Sequence, residues 1–141
     1  MNMYYQPTAE LMASAQLTYT NMRGYYEHYG VDWQQLKICE QISDLENWDV
    51  LLNGDVVGAM RLAFDDEGCY IRDLQVDAAF QNMGIGAAAI SECSRLAVHR
   101  GAMQLRLRVF KISPAHKLYT RSGFSIDKED DRFYYMSKSL V

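Results

Sequence analysis

Residues 81–90, QNMGIGAAAI, set Gly84 and Gly86 one residue apart at the head of a helix-like apolar stretch. Glycine costs a helix about 1 kcal/mol relative to alanine, so a pair in the first turn needs another use. The first four N–H groups of a helix have no internal partner, and with the macrodipole they form an anion site. Glycines there would admit a pyrophosphate with no Cβ in the way. Alternatively, they close a tight loop and let the helix pack on a sheet. A P-loop is excluded, because no lysine follows in the G-x-x-x-x-G-K-[ST] pattern. Residues 84–89 formally read G-x-G-x-x-A, but a dinucleotide fingerprint needs glycine directly after its strand and an acidic residue about 20 positions on. Here residues 77–83 intervene, and the next strand carries Arg106, Arg108 and Lys111.

The surroundings of the glycines resemble the GCN5-related N-acetyltransferases, the GNAT family. Its [QR]-x-x-G-x-[GA] signature stands here as Gln81-Asn82-Met83-Gly84-Ile85-Gly86, preceded by IRDLQV. Downstream, SPAHKLYTRSGF (residues 113–124) is similar to the family's N-P-A-x-x-L-Y-x-x-x-G-F. The resemblance spans residues 48–138 and leaves the first third of the chain in the place of the variable acceptor-binding segment. It implies a GNAT acyl-CoA N-acyltransferase fold, an α+β architecture with a central mixed, mostly antiparallel sheet flanked by helices.

The same resemblance implies a set of roles. Backbone amides from Asn82 through Met83, Gly84, Ile85 and Gly86 to Ala87 would hold the CoA pyrophosphate, with Gln81 shaping the loop. Leu74, Gln75 and Val76 would pair through their backbones with the pantetheine arm, the Leu74 N–H polarising the thioester carbonyl. Tyr119 would protonate the departing thiolate, and acetyl-CoA would be the co-substrate, with no metal. Ser113 stands where the family has asparagine, so its cofactor contact is weakened while its capping role survives.

The chemistry asks for the same parts. An amine attacking a thioester must lose a proton, and its addition builds negative charge on the carbonyl oxygen that a donor must meet. Asp73, within IRDLQV, and Glu27 or His28, within YYEHYG, are the catalytic base candidates, and water could serve instead; Asp73 has a structural alternative in which it pairs with Arg72 or a neighbouring strand. Tyr26, Glu27 and His28, within YYEHYG, are candidates for acceptor binding, or else solvated helix-end residues. Tyr4, Tyr5, Tyr19, Tyr25, Tyr26 and Tyr29 suggest an aromatic wall that could hold an ammonium, or ordinary packing. His116 reads as exposed, and His99 as a complement to a helix dipole.

These residues need elements to position them. Leu11, Ala15, Tyr19 and Met22 are spaced for an amphipathic helix over residues 8–29, followed by a short helix over 33–41. Residues 48–76 read as three strands of an antiparallel meander, punctuated by Asn53-Gly54 and by a turn over 65–68. Ile85, Ala89, Cys93 and Leu96 predict a helix over 84–100, with Gly101 as its C′ residue. Met103, Leu105, Leu107 and Val109 alternate with polar residues as a strand does. A strand, helix and strand in sequence makes a parallel crossover. Ser113 and Pro114 then open a helix that Gly123 ends, and residues 124–126 and 132–139 supply two closing strands.

Composition bounds the function. The 141 residues suit a single domain, and the resemblance implies that it is a GNAT domain with about 1–45 as a helical acceptor-side segment and 46–138 as the acetyl-CoA-binding core. A net charge of -4 without a basic run argues against nucleic acid, and no apolar run of the roughly 18 residues a membrane span needs is present. Cys39, Cys69 and Cys93 match neither a disulfide framework nor a zinc site. The N-terminus lacks a secretory pattern, so a cytoplasmic location is expected. The family resemblance, which these bounds do not disturb, implies an N-acetyltransferase working by direct transfer to a small-molecule amine or peptide acceptor. A non-catalytic acyl-CoA-binding or regulatory module, a nucleotide-binding module and a homodimer are left open.

Overall fold

The computed structural model describes residues 2–141. In chain order the elements are β1 (Met3–Pro7), α1 (Leu11–His28), α2 (Gln35–Ile42), β2 (Glu46–Leu52), β3 (Asp55–Asp65), β4 (Gly68–Val76), α3 (Ile85–His99), β5 (Gln104–Phe110), α4 (Ala115–Arg121), β6 (Ser125–Glu129) and β7 (Phe133–Ser139). The strands form one mixed sheet in the order β1-β2-β3-β4-β5-β7-β6. Its architecture is α+β, as expected. The chain divides into two compact units, one of residues up to Arg61 with Asp73–Ile85, the other of Leu62–Arg72 with Gly86–Val141.

In the first unit, β1 runs antiparallel to β2 from Met3↔Leu52 to Pro7↔Trp48. This strand is absent from the sequence expectations, because a five-residue segment shows no period of its own and is held by the β2 edge. Asn53 (φ 52°) and Gly54 (φ 91°) both take the left-handed region that the β2–β3 hairpin turn requires. Ala15, Ile38, Ile42, Val50, Val57 and Met60 form this unit's core.

In the second unit, β4 pairs in parallel with β5 at Cys69↔Leu105 and Tyr70↔Arg106, and β5 runs antiparallel to β7 along its whole length. Helix α3 ends in a Schellman motif: Gly101 (φ 78°) donates to the Val98 carbonyl at 3.0 Å and Ala102 to the Ala97 carbonyl at 2.9 Å. The core here includes Ile90, Cys93, Leu105, Leu107, Phe124 and Met136. Met103, expected to face inward with Leu105, precedes the strand and is 63% exposed. Cys69 and Cys93 are buried and in no disulfide, and burial pushes the Cys93 thiol far up, so it is inert near neutrality.

Candidate active site

Within the first unit, the loop after β4 is built to leave backbone amides bare. Asp77 accepts from the Ala79 N–H (2.9 Å), closing a short 3-10 turn at Ala78–Phe80. Gln81 turns back so that its Nε2 donates to the Val76 carbonyl at 3.0 Å. Asn82 (φ 62°) and Gly84 (φ 82°) are then left-handed, and residues 81–84 are exposed. No hydrogen-bond partner stands within the described residues for the N–H groups of Asn82, Met83 or Gly84. Such a row of exposed donors fits an anion.

The two glycines separate in purpose. A Cβ on Gly84 would meet nothing within 4 Å, so its positive φ is what calls for glycine. On Gly86 a Cβ would come within 2.9 Å of Leu118 Cδ2. Gly86 therefore allows close packing against α4 within the second unit, in line with the packing alternative for the glycines.

Two of the three backbone groups expected to meet a pantetheine arm are already engaged by the protein. The Gln75 carbonyl lies only 2.6 Å from where a Cβ on Gly58 would stand, so it is turned toward β3. The Val76 carbonyl accepts from Gln81 Nε2 and also from Asn21 Nδ2 at 2.9 Å, filling both lone pairs.

Asp73 is engaged on both of its carboxyl oxygens. Its Oδ2 lies 3.2 Å from Arg61 Nε and accepts from Thr18 Oγ1 at 2.8 Å, while Oδ1 accepts from Gln75 Nε2 at 2.6 Å. Arg61 is wholly buried in β3. Its Nη1 donates to Ser14 Oγ (2.7 Å), and its Nη2 donates to the Ser14 carbonyl (2.9 Å) and to Thr18 Oγ1 (2.7 Å). Burial lowers the Arg61 pKa, opposed chiefly by the Asp73 carboxylate. Both oxygens of the Asp73 carboxylate are thus engaged by the protein, by Arg61 and Thr18 on one side and Gln75 on the other. Arg61, Ser14, Thr18 and Asn21 escape a motif search, because their meeting depends on how α1 lies on β3 and β4.

The acceptor-side candidates do not gather into one wall. Tyr26 is buried with its ring edge-on to Trp33 at 5.6 Å, whereas Glu27 is exposed and pairs with Arg23 at 3.8 Å. His28 is exposed at the C-terminus of α1 beside the Tyr29 ring. Tyr4 and Tyr5 are successive strand residues and point to opposite sheet faces, so the six tyrosines form no single cluster.

In the second unit, Ser113 Oγ accepts from the Ala115 N–H (3.2 Å) and so caps α4. The Tyr119 carbonyl accepts from the Phe124 N–H (3.0 Å), and Gly123 (φ 99°) donates to the Thr120 carbonyl (3.1 Å). This is a Schellman motif, and its apolar contact is the Tyr119 ring against Phe124 at 5.7 Å. The spacing Y-x-x-x-G-F is thus the spacing of a helix stop that fixes Tyr119. His116 is half-buried against the Tyr134 ring at 5.4 Å, not exposed as expected. A cleft of about 1160 Å³ lies elsewhere in this unit, around Asp65, Glu67, Arg100, Gln104 and Lys138, and none of the expected site residues lines it. Among the described residues, no three His, Cys, Asp or Glu side chains stand together to hold a metal, and no helix is long and apolar enough to cross a membrane.

Residues 10–124 match the family model described as "Acetyltransferase (GNAT) family". No curated protein matches significantly. Among solved structures, the chain is similar to Ard1 from Thermoplasma volcanium (19% identity, 100% of this chain and 99% of that one, TM-score 0.81). It is also similar to PaiA N-acetyltransferase from Thermoplasma acidophilum in complex with coenzyme A (16% identity, 99% of each chain, TM-score 0.79). A GNAT family acetyltransferase from Elizabethkingia anophelis with acetyl-CoA bound gives 18% identity, 98% of each chain and a TM-score of 0.77. At these identities the likeness shows the fold.

Proposed function

From the premise that this chain belongs to the GNAT acetyltransferase family, we propose that it is an N-acetyltransferase moving the acetyl group of acetyl-CoA directly to a primary amine in a ternary complex. The observation that carries this is the exposed loop at residues 82–84, whose N–H groups have no partner among the described residues and which leads straight into α3. Two similar folds were solved with coenzyme A or acetyl-CoA, which supports the choice of anion. Amides from Asn82 to Ala87 hold the pyrophosphate, and the Leu74 N–H stabilises the oxyanion as the amine adds to the thioester carbonyl. The C–S bond then breaks, and Tyr119 supplies the proton that the thiolate takes up. With Asp73 held by Arg61, the proton of the attacking amine leaves to water, and Asp73 acts by positioning β4. The acceptor is a small amine or a peptide, with Glu27 and His28 as exposed candidate groups on α1.

Calorimetric titration with acetyl-CoA beside CoA, ATP and NAD tests this directly. Micromolar binding of the CoA species alone, with amine-dependent thiol release, is expected; binding without thiol release would mean a non-catalytic module, and no CoA binding would overturn the proposal. Tyr119→Phe should lower kcat about tenfold with acetyl-CoA affinity little changed. An unaltered rate across pH would remove Tyr119 as the acid.

A further inference from the structure

A polar chain of fixed direction runs through the first unit and ends on the segment of β4 assigned above to the thioester. It starts at buried Arg61, whose Nε lies 3.2 Å from Asp73 Oδ2, and Asp73 accepts at both of its oxygens. Gln75 must therefore turn its Nε2 toward Asp73 Oδ1 (2.6 Å), which leaves its Oε1 facing α1. Asn21 meets that oxygen with Nδ2 at 3.1 Å and sends the same amide nitrogen to the Val76 carbonyl at 2.9 Å. Both Asn21 protons are used, and a flipped amide would set oxygen against two acceptors. Thr18, one turn earlier on the same face of α1, bonds Asp73 and Arg61, so the helix grips β4 at two points. On the far side of the same peptide unit, the Asp77 N–H donates to the Val57 carbonyl in β3 at 2.8 Å. The Val76–Asp77 peptide is thereby held from two sides, by a helix side chain and by a strand.

We propose that Asn21 is a positioning residue for acyl transfer: through Gln75 and the Val76 carbonyl it fixes the end of β4, and hence where the Leu74 N–H points. The proposal rests on the acetyl-transfer role assigned to this segment. Acyl transfer is sensitive to such placement, since a misplacement of about 1 Å can cost about a hundredfold in rate. Asn21 touches neither acetyl-CoA nor the acceptor in this scheme, so its loss should appear in turnover before it appears in affinity.

The test compares Asn21→Asp, which keeps the shape and removes both donors, with Asn21→Ala, and uses Gln16→Ala as a control. Gln16 lies on the exposed face of α1 and bonds only Thr20. Measured together are kcat, the calorimetric Kd for acetyl-CoA, thermal midpoint and hydrogen exchange of peptides covering residues 73–81. Both Asn21 variants should lose about tenfold or more in kcat with Kd changed less than about threefold, and should exchange faster in that segment. The control should match the parent protein. An unchanged kcat, a kcat loss tracked by an equal loss of affinity, or unaltered exchange over 73–81 in folded variants would each overturn the proposal. If the parent protein itself neither binds acetyl-CoA nor acetylates amines, the function fails separately, and the exchange comparison alone decides whether Asn21 holds β4.

Discussion

Asp73 shows how much a single residue's chemistry depends on its partners. From the sequence, Arg72 was the near partner, but neighbours in a strand point to opposite faces, and the cation that reaches Asp73 comes from β3. Arg61 is wholly buried while the Asp73 side chain is 14% exposed, so removing the carboxylate strands a positive charge. Asp73→Asn should destabilise the protein by roughly 3 kcal/mol in urea unfolding. Replacing both partners, as Arg61→Met with Asp73→Leu, should cost less than that single change, because no uncompensated charge remains. Equal losses for single and double variants would show that the pair contributes no mutual compensation. Tyr119 was legible by motif, whereas its burial against Phe124 at the helix stop required the fold.

At the level of elements, the turns and helix ends were the best-marked features. Asn53-Gly54, Gly101 and Gly123 all take positive φ where the sequence placed a turn or a stop. What the sequence left hidden is which glycines are trapped by another strand. A Cβ on Gly68 (φ 122°) would stand 2.5 Å from the Gln104 carbonyl oxygen, across the β4–β5 pairing. Gly68→Ala should therefore cost several kcal/mol, whereas Gly86→Ala, which meets only the flexible end of Leu118, should stay within about 1 kcal/mol of the parent. Unfolding midpoints of the two variants check the order. The turn between β6 and β7 offers a pH test. The Tyr135 hydroxyl and the N–H groups of Phe133 and Arg132 donate to Asp130 and pull its pKa down from 3.8 to about 2. A depressed carboxyl stabilises the folded turn above the ordinary range and withdraws that support as pH falls through the folded value. NMR titration of the Asp130 carboxyl should give a midpoint near 2, and a midpoint at 3.8 would mean the turn bonds are not held in solution.

Across the whole molecule, the net charge of -4 hides an uneven distribution. The first unit carries ten acidic side chains against three basic ones, and the second carries eight against eleven. If α1 and its neighbours meet the acceptor, a polycationic amine should be drawn in by long-range attraction that salt screens. The kcat/KM for a linear polyamine should fall several-fold between about 20 and 300 mM salt, while that for a zwitterionic amino acid should barely change; equal salt responses would deny the field a role. By itself the sequence determined the family, the α+β plan, the bare-amide loop and the residue carrying the candidate acid, because signatures, turn residues and hydrophobic period are local properties of the chain. Only the tertiary structure decided that Asp73 is spent on Arg61, that Gly86 serves packing, that Val76 is held by Asn21 and Gln81, and that β1 is a strand at all. Each of those depends on a partner distant in sequence, and a partner's side chain, register and burial exist only once the chain has folded onto it.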